Sequence, residues 1–538
     1  MTINNNIRIC LEYNLISSEI RLYSDLIDEY KYGTPEFVHY IYKLISSNQW
    51  HEGLDKNLLY YEDYFLPEIQ LWNILVKSSH IIKFILFLYS FNNYNKNIFI
   101  YISNDYKIEE FIIYVLKKMN VTYEIIRLNK KTLLHIPTYK EIRYKQYSGF
   151  RNSLKRIPLF FINFYKKKTI NGIYFQGYFS TRDMMEYLNE NFVTDLKFKK
   201  LLSRNTPRLF QYPTKCNRTI RFSKDNSIID FIKLDNVLFY LFKQIYLSHI
   251  HEVKCLISGI TLKLKKMNIK NVILMHDLPL VHIIIAKYIK KNKGKVMLYQ
   301  HGLREYSYLD NKDILKNFDG IFCWCGYEKN MYKDINNKFQ LVEAGYPYLH
   351  SLKGQKNERD SYNLREIVIT ILPPISLIEI VDRFNKEIND LISIIKILLK
   401  LGVKKENIII KIHPGHLNKD FFVNILNDYL DENSIVKEES MISVVKRSDI
   451  LIGPMSTAAY ESIFLNTPYI FFNKYSKFYT NHILNDIKIP TFERVEELED
   501  ILLDFKYPNF TALQEKMLYK YTYNETIEII NNTFGVIN

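Results

Sequence analysis

Apolar and polar positions follow two regimes along the chain. From Asn271 onward, short apolar runs alternate with longer stretches whose apolar residues recur three and four positions apart. The pattern predicts strand Val272–Met275, helix Leu280–Lys290, strand Lys295–Tyr299, strand Gly320–Trp324, a short helix and strand Gln340–Ala344. A second alternation predicts strand Ile367–Ile371, a long helix Ile378–Leu401, strand Asn407–Ile412, helix Lys419–Leu430 and strand Ser434–Val436. It continues with helix Met441–Lys446, strand Ile450–Ile452, helix Thr457–Leu465 and strand Tyr469–Phe472. Strands alternating with helices imply parallel sheets with right-handed crossovers. Gly345–Gly354 separates the two blocks as a hinge. The expected fold class is α/β, with two Rossmann-type parallel-sheet domains facing a cleft lined by the carboxyl ends of the strands.

The earlier part is less punctuated. Roughly the first 95 residues read as a Tyr-rich, mostly helical N-terminal extension. Asn97–Ser103 reads as a buried strand, Ile108–Lys118 as a helix, and Tyr123–Arg127 and Gly172–Gln176 as strands, the last leading through Gly177–Thr181 into a helix near Arg182. Residues 190–265 read as helical or irregular. The expected division is an acceptor-side domain over 1–350 and a nucleotide-binding domain with C-terminal helices over 351–538.

A length of 538 residues fits two to four domains. With 47% hydrophobic and 24% charged residues, the chain is neither disordered nor a disulfide scaffold. Five sparse cysteines without a CxxC pair give no zinc motif, and Cys323 and Cys325, flanking Trp324 in an apolar run, read as buried structural thiols. No signal peptide is visible, and the apolar stretch Ile81–Phe91 is too short for a span of ~18 or more residues. A cytoplasmic location follows as an expectation. The net charge of +15 admits nucleic acid, an anionic membrane surface or an anionic substrate. No nucleic-acid-binding motif supports the first. The densest basic region, Arg127–Lys168, is either a solvated insertion or a contact with the cytoplasmic face of the membrane.

Glycine is scarce, 16 in the chain, yet nine lie between Gly294 and Gly453, and Gly302, Gly326, Gly345, Gly415 and Gly453 each follow a predicted strand. Such loops are where α/β proteins bind ligands. In Gln300-His301-Gly302-Leu-Arg304, His301 is a candidate acid or base, or a turn cap, and Arg304 a candidate partner for a phosphate or carboxylate. In Lys411-Ile-His413-Pro414-Gly415, Pro414 stops the ladder and Gly415 lets the chain turn, so His413 would be held rigidly at the strand end. In Gly453-Pro-Met-Ser456-Thr457-Ala-Ala-Tyr-Glu461, two hydroxyls stand at a helix N-terminus, suited to phosphate and equally suited to capping. Glu461 would accept from a ribose hydroxyl or cap locally. Asp277 follows a strand and is a candidate base or an N-cap. The sequence has no loop DxD, HExxH, Walker, GxSxG or GxGxxG motif, which argues against a metal site, a nucleoside triphosphatase, an α/β-hydrolase and a typical dehydrogenase.

Taken in order, Gln300-His-Gly302, Trp324-Cys-Gly326, Gly345-Tyr-Pro347, Lys411–Gly415 and Ser448–Gly453 with Ser456, Thr457 and Glu461 resemble bacterial glycosyltransferases of the GT-B fold that build surface glycans. The likeness covers about residues 270–475 and is nearest to the sialyltransferase, polysialyltransferase and Kdo transferase group, which uses CMP-activated acidic sugars. It implies an inverting, metal-independent transfer from a nucleotide-sugar donor, most simply CMP-linked, to a glycan or lipid-linked glycan, with no further cofactor. His413, Ser456 and Thr457 would hold the donor phosphate, and Gly345 and Pro347 would form the interdomain segment near it. The family's acidic-Gly base motif is missing, leaving Asp277 and His301 as stand-ins. CDP-glycerol and polyol-phosphate transferases of teichoic-acid synthesis share the Gln-His-Gly and His-Pro motifs, with both histidines expected to be catalytic. UDP-N-acetylglucosamine 2-epimerases share the fold, and a non-catalytic glycan-assembly protein is a further alternative.

Overall fold

A computed structural model describes residues 6–10, 15–16, 35–47, 49–71, 74–75, 78, 82, 85, 97–103, 109–118, 120–128, 134–135, 170–174, 198–200, 234–274, 280–299, 315–333, 339–345, 363–373, 384–413, 419–454, 456–474, 489–506, 510 and 521–535. The first half opens with β1 (Asn6–Cys10), α1 (Pro35–Ser46), β2 (Asn97–Ser103), α2 (Glu109–Lys118) and β3 (Tyr123–Leu128). β1, β2 and β3 form a parallel three-stranded sheet in that order. The sequence pattern missed β1: Asn-Ile-Arg-Ile-Cys is short, and its partner lies about ninety residues away.

A six-stranded sheet follows. Its strands are β4 (Ile170–Tyr174), β5 (Phe198–Lys200), β6 (Ile269–Leu274), β7 (Val296–Tyr299), β8 (Gly320–Cys323) and β9 (Gln340–Glu343). Their order is β9-β8-β7-β6-β4-β5, every pair parallel. Helices α3 (Leu234–Met267), α4 (Leu280–Lys291) and α5 (Gly326–Lys333) connect them. β7 and β8 are buried at every position, as parallel strands covered on both faces require.

The second sheet comprises β10 (Ile369–Ile371), β11 (Ile408–Lys411), β12 (Ile435–Val436), β13 (Ile450–Gly453), β14 (Tyr469–Phe472) and β15 (Thr491–Phe492). Its order is β12-β11-β10-β13-β14-β15, again all parallel. Around it lie α6 (Phe384–Lys400), α7 (Lys419–Leu426), α8 (Met441–Arg447), α9 (Thr457–Phe464) and α10 (Glu497–Leu503). α6 buries Ile388, Leu391, Ile394, Ile395 and Leu398, the one-face spacing of an amphipathic helix. The two six-stranded parallel sheets are the α/β fold class expected from the alternation, whereas the expected helical start also contributes β1 to a third parallel sheet.

The last helix, α11 (Tyr523–Thr533), starts from a Thr522/Glu525 capping box. It packs on the first lobe: Thr526 Oγ1 donates to Ala344 O at 2.6 Å and Lys295 Nζ to Thr533 O at 2.7 Å. The chain thus returns across the lobe boundary after residue 351. One apolar cluster joins the lobes, with Tyr299, Phe322, Trp324 and Ala344 packed with Leu372, Ala459, Tyr460 and Phe471. Cys323 and Cys325 are buried free thiols, as expected. No helix among the described residues is long and apolar enough to cross a membrane.

Candidate functional site

In the second sheet the chain runs outward from β10 to β11 and β12, then returns to the other side of β10 with β13. The strand order therefore reverses between β10 and β13, the kind of switch point at whose carboxyl strand ends open α/β sheets bind ligands. β11 and β13 flank β10, so His413 and Ser456 follow strands on either side of it.

The ladder carries the chain just past β11: Ile412 N donates to Val436 O at 2.9 Å. His413 is the first residue beyond it, solvent-accessible yet crowded by surrounding protein. Crowding first, then the ammonium charges of Lys411 and Lys437, bring its imidazole down to about 4. At neutral pH His413 is therefore an uncharged ring. Lys411 is 4% exposed. Its Nζ donates to Lys437 O at 2.8 Å and to Ile412 O at 3.2 Å, tying the ends of β11 and β12 together. Burial brings its ammonium down to about 8, against the opposing pull of Glu438, Glu439 and Glu461. Glu461 lies on α9, so the charge of that helix is felt at the β11 end.

β13 ends at Gly453, where a side chain has no room: a Cβ would lie 2.7 Å from Leu372 Cβ and 3.0 Å from the Tyr469 hydroxyl oxygen. The backbone then enters α9 through Ser456, whose φ of −158° and ψ of 167° are those of an extended N-cap. Ser456 occupies the capping position without its side chain capping the helix; its buried Oγ reaches the Tyr469 hydroxyl, which itself donates to Pro454 O. Of the two readings left open by the sequence, capping by the Ser456 hydroxyl is therefore not the one seen here. Thr457 opens the helix half-buried, and buried Ala458 and Ala459 keep its first turn slim.

From the first lobe, Gly345 follows β9 with φ +76°, a conformation in which glycine is favoured. The Tyr299 hydroxyl donates to its carbonyl at 2.8 Å. Trp324, just past β8, meets Tyr460 of α9 edge to face with ring centroids 5.8 Å apart, so the carboxyl edge of the first sheet touches the helix that Ser456 begins. Asp277, His301, Gly302, Arg304, Pro347, Pro414 and Gly415 lie outside the described residues, as does most of the basic stretch 127–168. By sequence, Asp277 follows β6 and His301 follows β7. The structure places Lys411 and His413 together at the end of β11, with the charge of Glu461 on α9 felt by Lys411, and Ser456 and Thr457 at the start of the same α9.

Lys437 was missed: it follows β12 on the same sheet edge as His413, next to Glu438 and Glu439, and no glycine, proline or motif marks it. Tyr460 and Glu328, which connect the lobes, had no pattern signal because the contact spans about 130 residues. A cavity of about 320 Å³ lies instead at the amino edge of the first sheet, lined by Tyr64, Lys287, Lys290, Lys291, Lys316 and Asn317 among others. Its lysines are paired with Glu68, Asp319 and Asp63, and it stands at the opposite strand ends from His413.

No family model and no curated protein matches the chain. Among solved structures it is similar to the wall teichoic acid polymerase TagF, with 13% identity, 69% of this chain and 88% of that chain covered, and a TM-score of 0.37. It is similar to a UDP-N-acetylglucosamine 2-epimerase at 12% identity, with coverage of 69% and 96% and a TM-score of 0.39. The Methanocaldococcus jannaschii UDP-GlcNAc 2-epimerase, solved with UDP-GlcNAc and UDP, gives 14% identity, coverage of 68% and 100%, and a TM-score of 0.42. The similarity is one of fold.

Proposed function

We propose that the protein is a nucleotide-sugar-dependent glycosyltransferase that moves a CMP-activated acidic sugar onto a growing surface glycan, with inversion and without a metal. The observation that carries this reading is the grouping at one sheet edge: a neutral His413 in the field of two ammonium groups, with Ser456 and Thr457 opening the helix that follows β13 on the same sheet. Such a set suits a phosphate that gains negative charge as it leaves. The acceptor hydroxyl oxygen attacks the anomeric carbon, the carbon–oxygen bond to the phosphate breaks, and its electron pair stays on the phosphate. Ser456 Oγ and the His413 N–H would donate to that oxygen, while the Lys411 and Lys437 charges stabilise it through the local field. Asp277 or His301 would take the acceptor proton. The protein would act at the cytoplasmic face of the membrane, where lipid-linked acceptors are presented.

A second reading is favoured by the two post-strand histidines, His301 and His413. Each follows a strand along the sequence, a pattern shared with polyol-phosphate transferases, in which the phosphoanhydride breaks instead. Calorimetry with CMP, CDP, UDP and GDP separates these cases. CMP preference, weakened at least tenfold by His413→Ala, supports the acidic-sugar reading. CDP preference supports polyol-phosphate transfer, UDP preference an ordinary sugar transferase or epimerase, and no binding overturns the enzyme assignment.

A further inference from the structure

Glu328 stands in the first turn of α5, immediately after β8, and is 3% exposed. Its Oε2 accepts the Trp324 N–H at 2.7 Å, whereas Oε1 is buried with no hydrogen-bond partner. The titratable groups facing it are Tyr299 on β7, Cys323 on β8 and Tyr460 on α9, with Cys325 and Tyr332 beside Tyr460 and Glu343 and Lys329 beside Cys323. Burial pushes the Tyr299, Tyr460 and Cys323 groups up, so these stay neutral at physiological pH. Burial also pushes the Glu328 carboxyl up to about 7, opposed only by the Trp324 N–H.

The same Trp324 packs on Tyr460, and Tyr460 lies one turn along α9 from Ser456. We propose that Glu328 is a positioning residue for the anion site: as a neutral acid it holds Trp324 against Tyr460, and thereby seats the start of α9, and on ionisation it releases that contact. The proposal rests on the reading of α9 as the donor-phosphate helix. A neutral acid tolerates a dry pocket with one donor; a carboxylate there lacks a second donor and draws in water.

The direction follows from the two proton affinities. Exposed on opening, Glu328 would titrate near the ordinary 4.5; enclosed, it titrates near 7. The seated contact is favoured fully below pH 4.5, weakens as pH rises to 7, and changes no further above that. Hydrogen exchange of the 457–464 amides, corrected for intrinsic rate, reads the opening constant without any nucleotide. Between pH 5.5 and 7.5 it should rise about 20-fold in the wild type and stay flat in Glu328→Gln, whose amide keeps the Trp324 bond and cannot ionise. His413 titrates in the same range in both proteins, so the comparison cancels it. Parallel profiles in the two proteins would overturn the proposal. Should the Gln variant not fold, infrared spectroscopy of the wild type decides: a carboxylic-acid carbonyl band present at pH 6 and lost by pH 8 supports the proposal, and its absence overturns it. Because neither readout uses a nucleotide, failure of the donor reading shows separately, as a wild type that binds no nucleotide.

Discussion

Replacing Lys411 by Met should make the free protein no less stable at neutral pH, and should change the way its stability depends on pH. Folding moves the ammonium from its ordinary 10.5 to about 8. Holding it charged at pH 7 therefore costs about 3 kcal/mol, an order-of-magnitude figure for a group buried this deeply. Methionine fills a similar volume without the charge, but forfeits the bonds to Ile412 O and Lys437 O, at about 1 kcal/mol each. The expected net change is about +1 kcal/mol. Between about pH 8 and 10.5 the unfolded chain holds a proton on Lys411 that the folded chain does not, so wild-type stability climbs with pH in that window. About 2.5 kcal/mol is recovered by pH 10, and the ranking of the two proteins should reverse. Urea unfolding followed by circular dichroism at pH 7.5 and 10 tests this, using the difference in midpoint between the two proteins. Midpoints that shift in parallel with pH, or a variant less stable by more than about 3 kcal/mol at pH 7.5, would refute the reasoning. The same variant should bind nucleotide at least tenfold more weakly, because a charge kept at a cost in stability is retained for what it attracts.

Ser456→Ala should leave thermal stability within about 0.5 kcal/mol, since no capping bond is lost, while weakening nucleotide binding about tenfold by calorimetry. Gly453→Ala should destabilise the second lobe by about 1–3 kcal/mol in urea, because the new methyl meets Leu372 Cβ at 2.7 Å. A bound phosphate should raise the His413 proton affinity from its value of about 4, so nucleotide affinity should increase as pH falls from 7 towards 5 more steeply in wild type than in His413→Gln. Equal slopes in that titration would remove His413 from the phosphate. Thr526→Val should cost about 1–2 kcal/mol in a thermal melt by leaving the Ala344 carbonyl without its hydroxyl partner.

The sequence by itself determined the alternation of the two blocks. Parallel strands buried on both faces must be continuous apolar runs, and helices covering them must be one-sided, so Tyr469–Phe472 and Leu280–Lys291 are legible from local pattern. It likewise marked His413, Ser456 and Thr457, because glycine and proline punctuate the ends of strands where a backbone must turn toward a ligand. What it could not determine depends on partners distant in the chain. β1 is too short to stand out until β2 pairs with it. A cap and a ligand donor look alike in sequence, and only the geometry shows that the Ser456 hydroxyl caps nothing. Lys437 joins His413 only when β12 is laid beside β11. Trp324 and Tyr460 meet only when the lobes pack, and burial, which sets the protonation of Glu328 and Lys411, is a property of packing rather than of any local run of residues.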